Sequence, residues 1–284
     1  MWHRHQLALV LIALAAWSIA ASAAPDCPPH APPTVRLMVH EPALIAARLD
    51  AMLEVGNGRS ARLAALRRLF AAAGCALEEQ RATEGQMPNL VCTLAGQLPD
   101  TIVVGGSFYG DGDASAALLP SLYESLAAAP RRHTLKIVAF TPRGRGGMRF
   151  VDALSPAARE KLAAMVHVGP LGYGPPQPHP VNADDGLQCD LMTAARTLGM
   201  TVPPRPIAPF GDTFAGPYAW MPLTGNAHWL TFRRAGVPVI SIHSGDGKTL
   251  APRFDFDAYY AQYRLLAVFI ALIDSREAKR SSAA

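Results

Sequence analysis

The chain reads as an α/β fold: a single three-layer domain with a central, mostly parallel mixed sheet flanked by helices. Three observations predict this. Short runs of strand character alternate with amphipathic helical runs along most of the 284 residues. No linker of changed composition and no internal repeat divides them. Half of the residues are hydrophobic, enough to bury one sizeable core.

The stretch Thr101–Leu119, TIVVGGSFYGDGDASAALL, shows the repeating unit most plainly. Thr101–Val104 has strand character, and Gly105-Gly106 suggests a tight turn. Asp111 and Asp113 sit in an acidic loop, and a helix is expected from about Ala114 to Ala128. Ligands of open α/β sheets gather at the carboxyl ends of strands, so a functional site is expected at this loop.

The other elements follow from spacing and punctuation. Pro42–Leu53 and Ser60–Ala73 are amphipathic helices, the second with Leu63, Leu66 and Phe70 at helical spacing and Gly74 as its stop. Leu90–Leu94 and Thr134–Phe140 read as strands. Thr141–Gly147 is a loop rich in glycine and arginine, with a helix from about Met148. Ser155-Pro156 starts a further helix, with proline at its first position. Ala163–Val168 is a strand, and the proline-heavy Gly169–Asp185 reads as a loop. Leu187–Leu198 is a helix, preceded by Asp184-Asp185 as capping residues and stopped by Gly199. Thr201–Leu223 is irregular and carries Phe210, Phe214, Tyr218 and Trp220. Ala227–Ala235 is a helix, Val237–Ile242 a buried strand and Phe256–Ile273 the closing helix.

Met1–Ala23 reads as a signal peptide. A weakly basic start at Arg4 precedes the apolar run Leu7–Ala20 and the small-residue cleavage site Ala21-Ser22-Ala23. Export to the periplasm or outside the cell is the expectation, with no membrane span after cleavage. Removing the leader takes away one arginine and no acid, so the mature charge is +3, from 25 basic and 22 acidic residues. That charge is too small and dispersed to imply a nucleic-acid partner. Cys27, Cys75, Cys92 and Cys189 form an even set in an exported chain, which points to disulfides. Three connectivities are open. Cys75–Cys92 with Cys27–Cys189 is favoured, because a helix end and the next strand bring the first pair together.

Several framework segments carry a family resemblance: AAGCALEEQ (72–80), PNLVCTLAG (88–96), TIVVGGSFY (101–109), LLPSLYESLA (118–127), RRHTLKIVAFT (131–141), RAGVPVISIHS (234–244) and YYAQYRLLAVFIALID (259–274). Together they resemble the zinc aminopeptidases of metallopeptidase family 28, whose fold glutaminyl cyclases share. The similarity spans about Ala61 to Asp274. It implies one domain over residues 24–284, with its core at about 58–275.

In that family two zinc ions, held by His, Asp, Glu, Asp and His, activate water while a second Glu acts as general base. Carried over residue by residue, this set is depleted. The family's Gly-Ala-His-x-Asp corresponds to Gly105-Gly106-Ser107-Phe108-Tyr109, so Ser107 stands for the ligand His and Tyr109 for the Asp that orients it. The bridging Asp falls on Asp111, with Asp113 as a rival placement. The Glu-Glu pair falls on Arg143-Gly144. The strand that should end Asn-Leu-Asp ends His167-Val168-Gly169. The final ligand falls on His243, followed by Ser244 with Asp246 nearby, although Gly245 is an equal placement. At most Asp111 and His243 remain of five ligands, and Arg143 replaces the base.

The resemblance therefore implies a homologue without the dinuclear centre and without a cofactor, its cleft left for a peptide, a protein or nothing. The alternative is an active zinc exopeptidase whose rearranged site draws on Asp111, Asp113, His228 and His243. Further cleft candidates are Ser107, Tyr109, Arg143 and His167, together with the aromatic group Phe210–Trp220. A serine nucleophile at Ser107 is disfavoured, because Tyr109 occupies the final glycine position of a Gly-x-Ser-x-Gly elbow.

Overall fold

The computed structural model describes residues 27, 37–56, 58–81, 86–108, 113–141, 145–181, 185–202, 228–244 and 253–276. The elements in chain order are helices α1 (Pro42–Leu53) and α2 (Arg59–Ala72), strands β1 (Glu78–Gln80), β2 (Asn89–Leu94) and β3 (Thr101–Ser107), and helix α3 (Asp113–Ala127). Next come β4 (Thr134–Phe140), α4 (Arg145–Asp152), α5 (Pro156–Glu160), β5 (Leu162–Val168) and β6 (Pro176–Val181). Helices α6 (Asp185–Thr197) and α7 (His228–Arg234), strand β7 (Val239–Ser244) and helix α8 (Phe256–Ser275) complete the chain.

The seven strands form one sheet in the order β1-β2-β4-β3-β5-β7-β6. The inner strands β4, β3, β5 and β7 are mutually parallel, while β2 joins β4, and β6 joins β7, antiparallel. The expected three-layer α/β architecture is therefore present. Alternation along the strands sorts side chains onto two apolar faces. Ile102, Val104, Val166, Ile240 and Ile242 face a large core built with α1, α2, α3, α6 and α8. Val103, Val138, Phe140, Met165 and Val239 face a smaller core with Phe150 of α4 and Trp229 and Phe232 of α7. Each fully buried aliphatic or aromatic side chain contributes about 1.5–3 kcal/mol, so these two faces carry most of the stability.

Local chemistry explains the element ends. Gly74 takes φ +77 after α2, and the N–H of Cys75 donates back to the Phe70 carbonyl, the left-handed cap that glycine favours. Ser155 caps α5 by accepting the Ala158 N–H. The Asp255 carboxylate accepts the N–H groups of Asp257 and Ala258 at the start of α8. Helix α8 is long and apolar enough to cross a membrane by length and composition, yet Tyr259, Tyr263, Leu266, Phe269 and Ile270 are all buried in the larger core.

Both favoured disulfides form. Cys75–Cys92 ties the end of α2 to β2, and Cys27–Cys189 ties the start of the mature chain to α6 across 162 residues. The expected signal segment, residues 1–23, lies outside the described residues.

Three sequence expectations are corrected. Gly105-Gly106 continues β3 instead of turning. A Cβ at Gly106 would lie 2.5 Å from the Val168 carbonyl oxygen, and one at Gly105 2.6 Å from the Phe140 ring, so the neighbouring strand and ring leave room only for glycine. Part of the expected loop Gly169–Asp185 is strand β6. Pro176, Pro178 and Pro180 cannot donate to a ladder, but β6 is a sheet edge and its proline nitrogens need no partner on the open side. Helix α4 starts at Arg145, before Met148, and Asn89 Nδ2 donates to the Gly146 carbonyl in its first turn.

Candidate functional site: the carboxyl ends of the parallel strands

Parallel register brings the ends of β4, β3, β5 and β7 to one edge of the sheet. By strand alternation Ser107, His167, Ser241 and His243 lie on the face of the smaller core, the side that α4 and α7 cover. His228, the first residue of α7, joins them from above.

The imidazoles are held by specific bonds. His228 is buried, and its ring stacks on Phe140 at 4.9 Å between centroids. The Gly147 N–H donates to His228 Nδ1 at 3.2 Å. A Cβ on Gly147 would come 2.4 Å from the His228 carbonyl oxygen, so only glycine lets α4 approach this closely. The His167 ring lies 6.4 Å from that of His228. His167 Nδ1 stands 2.9 Å from Ser241 Oγ across the paired strands, where the two residues are in register. Burial, and then the neighbouring His243, push the His167 pKa down to about 4, so the ring is neutral at physiological pH.

The loop after β5 forms a firm wall. Ser244 N–H donates to the Pro170 carbonyl, and Ser244 Oγ accepts the Tyr173 N–H at 2.8 Å. Gln262 of α8 accepts the Gly172 N–H at 2.8 Å and donates to the Gly174 carbonyl at 2.6 Å. On the opposite side Asn89, fully buried on β2, grips both ends of the loop after β4. Its Oδ1 accepts the Thr141 N–H, and its Nδ2 donates to the Gly146 carbonyl, each at 2.9 Å. The side chain of Ser115 in α3 donates to the Gly169 carbonyl and fixes the end of β5.

Neither protein-family models nor curated proteins give a match to this sequence. Solved structures do. The zinc aminopeptidase BSAP from Bacillus subtilis superposes with a TM-score of 0.54 at 13% identity, over 68% of this chain and 52% of its own. The glutaminyl cyclase of an Acidobacteriales bacterium gives 0.68 at 16% identity, over 88% of this chain and 100% of its own. The glutaminyl cyclase of Fimbriiglobus ruber gives 0.68 at 14%, over 86% and 99%. The fold is that of the zinc aminopeptidases and glutaminyl cyclases. The chain spans about half the length of the Bacillus aminopeptidase and the full length of the Acidobacteriales cyclase.

On the aminopeptidase fold, the positions that the resemblance assigns to metal ligands include Ser107 at the end of β3, Gly169 after β5 and His243 on β7. Asp111, Tyr109, Arg143, Gly144, Asp246 and the aromatic group Phe210–Trp220 lie outside the described residues, and Asp113 opens α3. Among the described residues no three His, Cys, Asp or Glu side chains gather as a metal ion requires. The bonding of His228 bears on this chemically. Its Nδ1 lone pair receives the Gly147 proton, so the ring proton belongs on Nε2 and neither nitrogen is open to a metal. The described donors therefore do not fit a zinc centre.

Ser107, His167 and His243 thus share one face of the sheet at its strand ends, and the His228 ring lies 6.4 Å from that of His167. Sequence reading missed Ser241 and Asn89. Ser241 had a signal: it is the polar residue between Ile240 and Ile242, on the parity of His243 in a strand otherwise apolar on both faces. Asn89 gave none, since its role depends on a loop 52 residues away.

Proposed function

We propose that this chain is an exported, non-catalytic member of metallopeptidase family 28 that uses the strand-end cleft to bind a peptide or the terminus of a protein. The observation that carries the reading is the hydrogen bond from Gly147 N–H into His228 Nδ1. It takes His228 out of the rearranged zinc site of the alternative reading, leaving Asp111, Asp113 and His243. Three further features support the reading. Ser107 offers a weak neutral donor where an imidazole would stand, Gly169 offers no side chain, and Arg143 cannot accept a proton at neutral pH. The disulfides agree with an oxidising compartment, and the leader with export.

A cleft without metal changes what zinc can do to stability. An ion that binds only the folded state raises its stability by mass action. The melting temperature of the mature chain is expected to be the same with a chelator and with added zinc. A rise with zinc that a chelator reverses would favour the active exopeptidase.

A further inference from the structure

His167 has no role in the metal-centred chemistry of the resemblance, yet its Nδ1 has a defined partner. It is the penultimate residue of β5, half-buried, on the same face as Ser107 and His243. Its Nδ1 is 2.9 Å from Ser241 Oγ.

The direction of that bond follows from counting protons. Ser241 is buried, and its hydroxyl has no other partner among the described residues. If His167 Nδ1–H donated to Oγ, the serine proton would be left without an acceptor, a cost of about 1–3 kcal/mol for a buried polar group. The hydroxyl therefore donates to Nδ1. The single proton of the neutral ring then sits on Nε2, which has no partner among the described residues.

We propose that Ser241 holds His167 in the Nε2–H form, and that His167 Nε2 donates a hydrogen bond to a backbone carbonyl of a bound peptide. This rests on the peptide-binding reading above and names the group that recognises the ligand. A neutral donor suits a neutral acceptor such as a peptide carbonyl, whereas a carboxylate is held best by a charged partner. Ser241 is a positioning residue, and His167 the residue that touches ligand.

Long-range proton–nitrogen NMR of the mature, disulfide-intact chain, labelled with nitrogen-15 histidine, reads the tautomer without any variant. An unprotonated Nδ1 and a protonated Nε2 on His167 are expected; the opposite assignment overturns the proposal. The probe is then an equimolar set of Xaa-Ala-Ala tripeptide amides, with acetate as the carboxylate control. The His167 Nε2 signal should move with the amides and stay with acetate. His167→Leu should weaken peptide binding about tenfold, the typical loss for one hydrogen bond. His167→Gln, which keeps a donor near the Nε2 position, should recover most of it. Equal binding by wild type and His167→Leu sinks this inference and leaves the peptide-binding reading standing. No binding by wild type sinks both.

Discussion

Gly169 and His243 face each other across β5 and β7 so closely that a Cβ on Gly169 would lie 3.0 Å from the His243 Cβ. In the resemblance these are two ligand positions of one zinc centre. Here Gly169 has no side chain, and a Cβ there would crowd His243.

Restoring the carboxylate should therefore fail to restore a metal site. Gly169→Asp is expected to bind no more zinc than the parent chain. It should also lose roughly 1–3 kcal/mol of stability, because the new Cβ must displace His243 or the Ile242 carbonyl 3.2 Å away. Metal analysis beside denaturant unfolding reads both; tight zinc binding by the variant would show that the site had kept its room.

Asn89 should be a costly residue to remove. Asn89→Leu keeps the volume but leaves the Thr141 N–H buried without its partner and takes the side-chain donor from the Gly146 carbonyl. A buried unsatisfied N–H costs about 1–3 kcal/mol, and a loss of that size in chemical denaturation is expected. A loss under about 1 kcal/mol would mean that the loop after β4 finds other partners.

His133 and Asp274 give the stability a pH dependence. Asp274 accepts the His133 N–H at 2.7 Å, and its carbonyl lies 2.9 Å from His133 Nδ1. The Asp274 side chain raises the His133 pKa above 6.5 against the opposing effect of burial, with Asp100 adding to the rise. A raised folded pKa means that the folded state binds the proton more tightly. This stabilisation is complete below pH 6.5 and fades as pH climbs through the folded value. Thermal melts should therefore show the difference between wild type and His133→Gln shrinking as pH rises above 6.5. A difference that grows with pH would reverse the assignment.

The Cys75–Cys92 bridge closes a loop with a sequence separation of 17 residues. In the chain-entropy model such a loop is worth about 3 kcal/mol. The double Ala variant should unfold at correspondingly lower denaturant than the wild type, both measured under non-reducing conditions. A wild-type chain that shows a free thiol at either position on non-reducing peptide mapping would contradict the pairing.

Much of the fold is legible in the sequence because its signals are local. Alternation in Thr134–Phe140, the helical spacing of Leu63, Leu66 and Phe70, and the glycine after α2 each act within a few residues, and each appears where expected. The edge strand β6 was hidden by its prolines, whose fit depends on lying at the sheet border, a property of the assembled sheet. The same distinction divides the site. His167, His228 and His243 stand at strand ends or a helix start, where position alone suggests a cleft. Ser241 is a single polar residue in an apolar strand, and its meaning appears only when β5 and β7 pair in register. Asn89 acts through tertiary contact alone.

The central claim is that the strand-end site works without zinc. The direct measurement is the metal content of the mature chain after exposure to zinc and gel filtration, with hydrolysis of an aminoacyl anilide followed on the same sample. The account predicts well under one zinc per chain and no chelator-sensitive release of the anilide leaving group. One or more zinc ions per chain, together with release that a chelator abolishes and zinc restores, would contradict it.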